Sequence, residues 1–140
     1  MHQPTGEMDL TVYTDGAARG NPGEAGIGVV IYKGSQRLKT ISKYLGQLTN
    51  NQAEYQALIT ALESVREYPV QTITIKSDSE LMVRQINSLY RVKDKNLFSL
   101  YQKVMELLKN FSDYRILHIP RIENKEADTS ANLAIDHKLT

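Results

Sequence analysis

The chain has 140 residues, 41% of them hydrophobic and 24% charged, with a formal net charge of +1, which fits one domain of roughly 100–200 residues with an ordinary globular composition. No run of about 18 apolar residues is long enough to span a membrane, Met1 to Glu7 lacks the apolar stretch of a signal peptide, and the absence of cysteine removes disulfides and thiolate metal sites. These exclusions point to the cytoplasm, and the small net charge lacks the basic excess that usually marks a nucleic-acid binder.

Residues 1–8 read as a loosely ordered tail, and residues 9–137 as a single domain. Asp9 to Asp15 alternates Leu10 and Val12 with polar or aromatic neighbours, a strand pattern that ends at Asp15. Gly16 to Gly26 is too rich in glycine for a helix and reads as a turn-forming loop. Ala25 to Lys33 is a second strand, Lys33-Gly34-Ser35 a hairpin turn, and Arg37 to Leu45 a third strand. The period then changes. Thr49 or Asn50 caps a helix that places Ala53, Ala57, Leu58, Ala61, Leu62 and Val65 on one face and stops before Pro69. Thr72 to Lys76 is a strand, Asp78 or Ser79 caps a short helix to about Asn87, and Lys95 to Phe111 is a strongly amphipathic helix. Tyr114 to Ile119 is the last strand and Asn124 to His137 the last helix.

The order is β-β-β-α-β-α-α-β-α. Three strands joined by short loops are antiparallel, and strands reached through helices add in parallel. The expectation is an α/β fold with one five-stranded mixed sheet and helices on both faces.

Charge is unevenly spread along this order. Arg84, Arg91, Lys93, Lys95, Lys103 and Lys109 face only Asp94 and Glu106 in their stretch. Four acids stand at element ends: Asp15 and Asp78 after strands, Glu54 in the first turn of a helix, and Asp128 near the start of the last helix. Each alone is ordinarily a cap or a partner of the helix dipole. Together they can converge at one sheet edge, where open α/β sheets build their sites. Clustered carboxylates repel and raise one another's pKa, and Mg²⁺ or Mn²⁺ relieves that conflict.

The segments around these acids carry a resemblance. Thr14-Asp15-Gly16-Ala17-Ala18-Arg19-Gly20-Asn21-Pro22-Gly23, Thr49-Asn50-Asn51-Gln52-Ala53-Glu54, Lys76-Ser77-Asp78-Ser79 and Asn124-Lys125-Glu126-Ala127-Asp128 resemble, in order and spacing, the four motifs of type 1 ribonucleases H. The resemblance runs from about Asp9 to Ile135. It implies an endonuclease that cuts the RNA strand of RNA–DNA hybrids and leaves a 3′ hydroxyl and a 5′ phosphate. Asp15, Glu54, Asp78 and Asp128 would hold two Mg²⁺ ions about 4 Å apart, with Mn²⁺ as a substitute. Gly16, Asn21, Thr49, Asn50 and Asn51 fall in the matching motifs as substrate contacts able to reach 2′-hydroxyls and phosphates. Arg91 and Lys93 lie in a short counterpart of the family's basic protrusion.

Three departures from the family pattern matter. Leu117 to Asn124 lacks the glycine-rich, His-bearing loop of many bacterial members; His118 belongs to the last strand, and Arg121 is the better candidate to assist, with Glu123 behind it. The protrusion has no Trp. Ser130 is expected to loosen the last helix, and Glu80 to add an unfavourable charge beside Asp78. Competing readings are weaker. A non-catalytic binding module is disfavoured by the presence of all four acids. A DEDD exonuclease or an Asp-x-Asp phosphatase needs a second acid where Gly16 and Ala17 stand, and in a dinucleotide-binding domain the glycine loop would open a helix. Double-stranded RNA remains open as a side substrate, and a monomer is expected.

Overall fold

The computed structural model describes residues 8–140, so the expected N-terminal tail lies outside the described residues except for Met8, which opens the first strand. The strands are β1 (Met8–Gly20), β2 (Gly23–Lys33), β3 (Gln36–Leu48), β4 (Val70–Ser77) and β5 (Asp113–His118). The helices are α1 (Asn50–Ser64), α2 (Glu80–Ile86), α3 (Lys95–Leu108) and α4 (Lys125–His137). The sheet order is β3-β2-β1-β4-β5. β1 pairs antiparallel with β2 and β2 with β3, while β4 joins β1, and β5 joins β4, in parallel. This is the expected mixed sheet.

Two strand-level expectations are corrected. The glycine-rich stretch is not a loop: β1 and β2 stay paired from Thr11↔Tyr32 to Gly20↔Gly23, leaving only Asn21 and Pro22 as the turn. Gly16 and Gly26 of this stretch, with Gly28 just beyond it, serve close packing against helices. A Cβ on Gly28 would lie 2.0 Å from the Ala127 carbonyl oxygen of α4, and one on Gly16 would lie 2.2 Å from the Ala53 carbonyl carbon of α1. Asp15 therefore does not end β1. It stands one residue beyond the parallel ladder with β4, which ends at Thr14↔Ser77.

Successive β1 residues point to opposite faces, and the two glycine contacts show which helix covers each. Leu10 and Val12, with Val29 and Ile31 of β2, pack under α1 in a core completed by Leu58, Leu62, Ile73, Ile75, Val104 and Leu107. On the other face α4 lies across β2, with Ala127, Ala131 and Ala134 fully buried. Small residues on both sides let the two backbones come together. Ser130 belongs to this seam: it is buried, and its carbonyl accepts a hydrogen bond from the Ser42 hydroxyl. A small side chain is what this contact admits, since a Cβ on Gly28 would lie 2.9 Å from that of Ser130.

Candidate active site

The geometry begins with how each acid is carried. Thr49 is the N-cap of α1, closed by a capping box: the Gln52 amide N–H donates to the Thr49 hydroxyl at 3.2 Å, and the Thr49 N–H to the Gln52 side chain at 2.9 Å. Glu54 comes after the first turn of α1, not within it, and is buried over Gly16. The missing side chain of Gly16 is what allows this approach, and its N–H donates to Glu54 Oε1 at 2.9 Å. Asp78 sits between the end of β4 and the Ser79 cap of α2, where the Ser79 N–H donates to the Ser77 hydroxyl at 3.0 Å. Asp128 lies in the first turn of α4. The start of that helix is tied to β1 by Asn124, whose Nδ2 donates to the Thr14 carbonyl at 2.9 Å.

These elements bring Asp15, Glu54, Asp78 and Asp128 into one cavity of about 420 Å³, with Gly16, Asn50 and Arg121 on its walls. Carboxylate oxygens of Asp15, Glu54 and Asp78 lie within 4.8 Å of one another. Burial and the neighbouring carboxylates push Asp15 up to about 9. Burial likewise pushes Glu54 up to about 8, against the opposing hydrogen bond from Gly16 and together with the charge of Asp78. Carboxylates this crowded are partly protonated at neutral pH unless a cation neutralises them. Hard oxygen donors with open solvent in front of them are a donor set that suits a divalent ion such as Mg²⁺ or Mn²⁺.

Arg121 is in a short 3₁₀ turn (Arg121–Asn124), mostly exposed, with its guanidinium 3.7 Å from Asp128 Oδ1. Asn21 reaches the rim indirectly, accepting the Asn50 N–H on its Oδ1 at 3.2 Å. Asn51 is exposed beside it, and the Thr49 hydroxyl is occupied by its capping role. Arg91 and Lys93 lie away from the cavity, on the exposed connection between α2 and α3. His118 ends β5, and Glu123 lines a separate cavity. Glu80 is drawn off by Arg84, which donates to it at 3.1 and 2.9 Å, so its charge is compensated. Two wall residues, Arg19 and Asn132, are not singled out by the sequence. Asn132 stands one helical turn after Asp128, a spacing at which side chains meet; Arg19 carries no signal beyond its place in the first motif.

Known proteins resemble this chain in sequence and fold. The family model described as "Reverse transcriptase-like" matches residues 13–134. The chain is 38% identical to Ribonuclease HI of Halobacterium salinarum over 96% of its length and 68% of that protein's. The crystal structure of RNase H1 from the same archaeon superposes with a TM-score of 0.89 over 92% of this chain and 98% of that one. The N-terminal RNase H domain of Rv2228c from Mycobacterium tuberculosis superposes with a TM-score of 0.89 at 34% identity, over 92% of this chain and all of that one; the chain spans only 36% of the full bifunctional Rv2228c protein. LC11-RNase H1, crystallised with an RNA/DNA hybrid, is 41% identical with a TM-score of 0.88, over 94% and 99% of the two chains. The chain therefore belongs to the type 1 ribonuclease H family.

Proposed function

We propose that residues 9–137 form a catalytic domain that hydrolyses the RNA strand of RNA–DNA hybrids, with Asp15, Glu54, Asp78 and Asp128 as its metal-holding carboxylates. The observation that carries this reading is the convergence of these four acids in one cavity. The likeness to a relative crystallised on an RNA/DNA hybrid supports the substrate. Two Mg²⁺ ions, or Mn²⁺ in their place, would activate the attacking water and stabilise the leaving 3′ oxygen, giving a 3′ hydroxyl and a 5′ phosphate.

The protein's own contribution is positioning. Gly16 orients Glu54 through its N–H, and the Ser77–Ser79 turn fixes Asp78 at the sheet edge. Asn21, Thr49, Asn50 and Asn51 surround the start of α1, where amides and hydroxyls can meet 2′-hydroxyls and phosphates. Arg121 supplies a cation at the rim for the scissile phosphate or the departing product. Arg91 and Lys93 extend the track for the nucleic-acid backbone, beside an exposed group of Leu89, Tyr90 and Phe98. A monomer in the cytoplasm is part of the same reading; no described helix is long and apolar enough to cross a membrane.

The test is single replacement in a strand-labelled hybrid assay. Asp15→Asn, Glu54→Gln, Asp78→Asn and Asp128→Asn should each lower kcat by about 10²–10³-fold or more, the scale of losing one preorganised charge at a reacting centre. A folded Asp78→Asn protein that cuts as fast as the parent would contradict the assignment. Double-stranded RNA, whose minor-groove geometry resembles that of the hybrid, is the second substrate to try.

A further inference from the structure

The four carboxylates are not held alike. Asp15 of β1 and Glu54 of α1 are buried, whereas the Asp128 side chain is 30% exposed on the surface of α4. Asn132 Nδ2 donates to Asp128 Oδ1 at 3.2 Å and to the Asp128 carbonyl at 3.0 Å. Asn132 is in turn gripped from its far side. The Arg19 guanidinium donates to Asn132 Oδ1 at 3.2 Å and to its carbonyl at 3.4 Å, and is itself paired with Asp136 at 2.6 Å. A side-chain amide can present either its NH₂ or its oxygen to a neighbour. Because Arg19 has only donors to offer, it takes the oxygen and leaves the NH₂ for the carboxylate. The sense of the Asn132 amide is thus set by a residue at the far end of β1.

An Asn four residues after an Asp is by itself an ordinary helix-surface pair. Here Arg19 and Asn132 also line the cavity that holds the acids. Among the described residues, the nitrogen donors that approach the Asp128 carboxylate, from Asn132 and from Arg121, fall on Oδ1, which leaves Oδ2 without a nitrogen donor, and the carboxylate also lies within hydrogen-bonding reach of the Asp15 carboxyl. We propose that Asn132, oriented by Arg19, is a positioning residue that holds the Asp128 carboxylate by Oδ1 and presents Oδ2 to a divalent cation. This rests on the reading of the four acids as a metal site. Partners of this kind around metal ligands typically matter by about 10–100-fold in metal affinity or activity.

The test compares Asn132→Ala, Arg19→Met and the double variant with the parent protein, by Mn²⁺ titration calorimetry without substrate and by kcat and KM on a labelled hybrid. Asn132→Ala should weaken Mn²⁺ binding and lower kcat, each by about 10–100-fold, while KM for the hybrid stays within about twofold. Arg19→Met should move both in the same direction by about 3–10-fold, and the double variant should be no worse than Asn132→Ala, the non-additivity of residues acting through one contact. Mn²⁺ affinity and kcat within about twofold of the parent would overturn the proposal. If Asn132→Ala fails to fold, the half-exposed Arg19→Met decides the matter by the same two readouts. A parent protein that binds Mn²⁺ but cuts no hybrid would refute the nuclease reading alone, and the Mn²⁺ titrations would still decide the role of Asn132.

Discussion

Asp15 and Glu54 hold their protons in the folded, metal-free chain, with values pushed to about 9 and about 8 from ordinary ones of 3.8 and 4.5. A raised carboxyl value means that the fold prefers the protonated acid, so this stability is complete at acid pH and is lost as pH climbs through 8 and 9. Thermal melting in chelator should therefore show a falling transition temperature between about pH 6 and pH 9, with a shallower fall for Asp15→Asn. Added Mg²⁺ should raise the transition more at the alkaline end, since the ion binds the deprotonated acids. Parallel curves for parent and variant would contradict the placement of Asp15. The four acids were legible in the sequence because each stands where an apolar strand pattern stops or shortly after a helix start, although β1 itself runs on past Asp15. Arg19 and Asn132 were not, because their role depends on the approach of β1 and α4, which no local pattern reveals.

At the scale of elements, the helices announced themselves through apolar spacing and caps, and α1 and α4 fall within a residue or so of the expected starts. The glycine-rich stretch misled because Gly is conformationally permissive and reads as a turn wherever it is dense. Gly16, Gly26 and Gly28 are instead strand residues made small so that α1 and α4 can lie on the backbone. Two substitutions separate these meanings. Gly28→Ala must displace α4 and should cost about 3 kcal/mol or more, the upper end of overpacking. Gly34→Ala meets nothing within 4 Å and suffers only from its φ of +60°, a cost of about 1–2 kcal/mol. Denaturant unfolding measures both, and equal losses would contradict the packing account. Because α4 carries Asp128, Gly28→Ala should also lower kcat.

For the whole molecule, the mixed strand pairing followed from the connections between elements, and the sheet order explains why sequence-distant acids meet: β1 and β4 are neighbours, and α1 and α4 cover opposite faces of β1. The surface was less legible. Leu89, Tyr90 and Phe98 are exposed, and the Arg84 guanidinium lies 5.3 Å from the Tyr90 ring centre, an apolar and aromatic edge that no sequence pattern announces. With Arg91 and Lys93 alongside, this edge is where we propose that the nucleic-acid backbone runs. Replacing Arg91 or Lys93 with Ala should weaken hybrid binding and reduce the slope of log affinity against log salt by about 1 for each phosphate left without its cation. An unchanged slope would remove that edge from the binding track.

The most direct measurement is cleavage of four duplexes under one set of conditions: a hybrid labelled on RNA, a hybrid labelled on DNA, double-stranded RNA and double-stranded DNA, each with Mg²⁺ and with chelator. The predicted result is cutting of the RNA strand of the hybrid, 3′-hydroxyl and 5′-phosphate ends, no cutting of either DNA strand, and complete loss in chelator. Cleavage of a DNA strand, cleavage that survives chelator, or a folded protein that cuts no hybrid would contradict it.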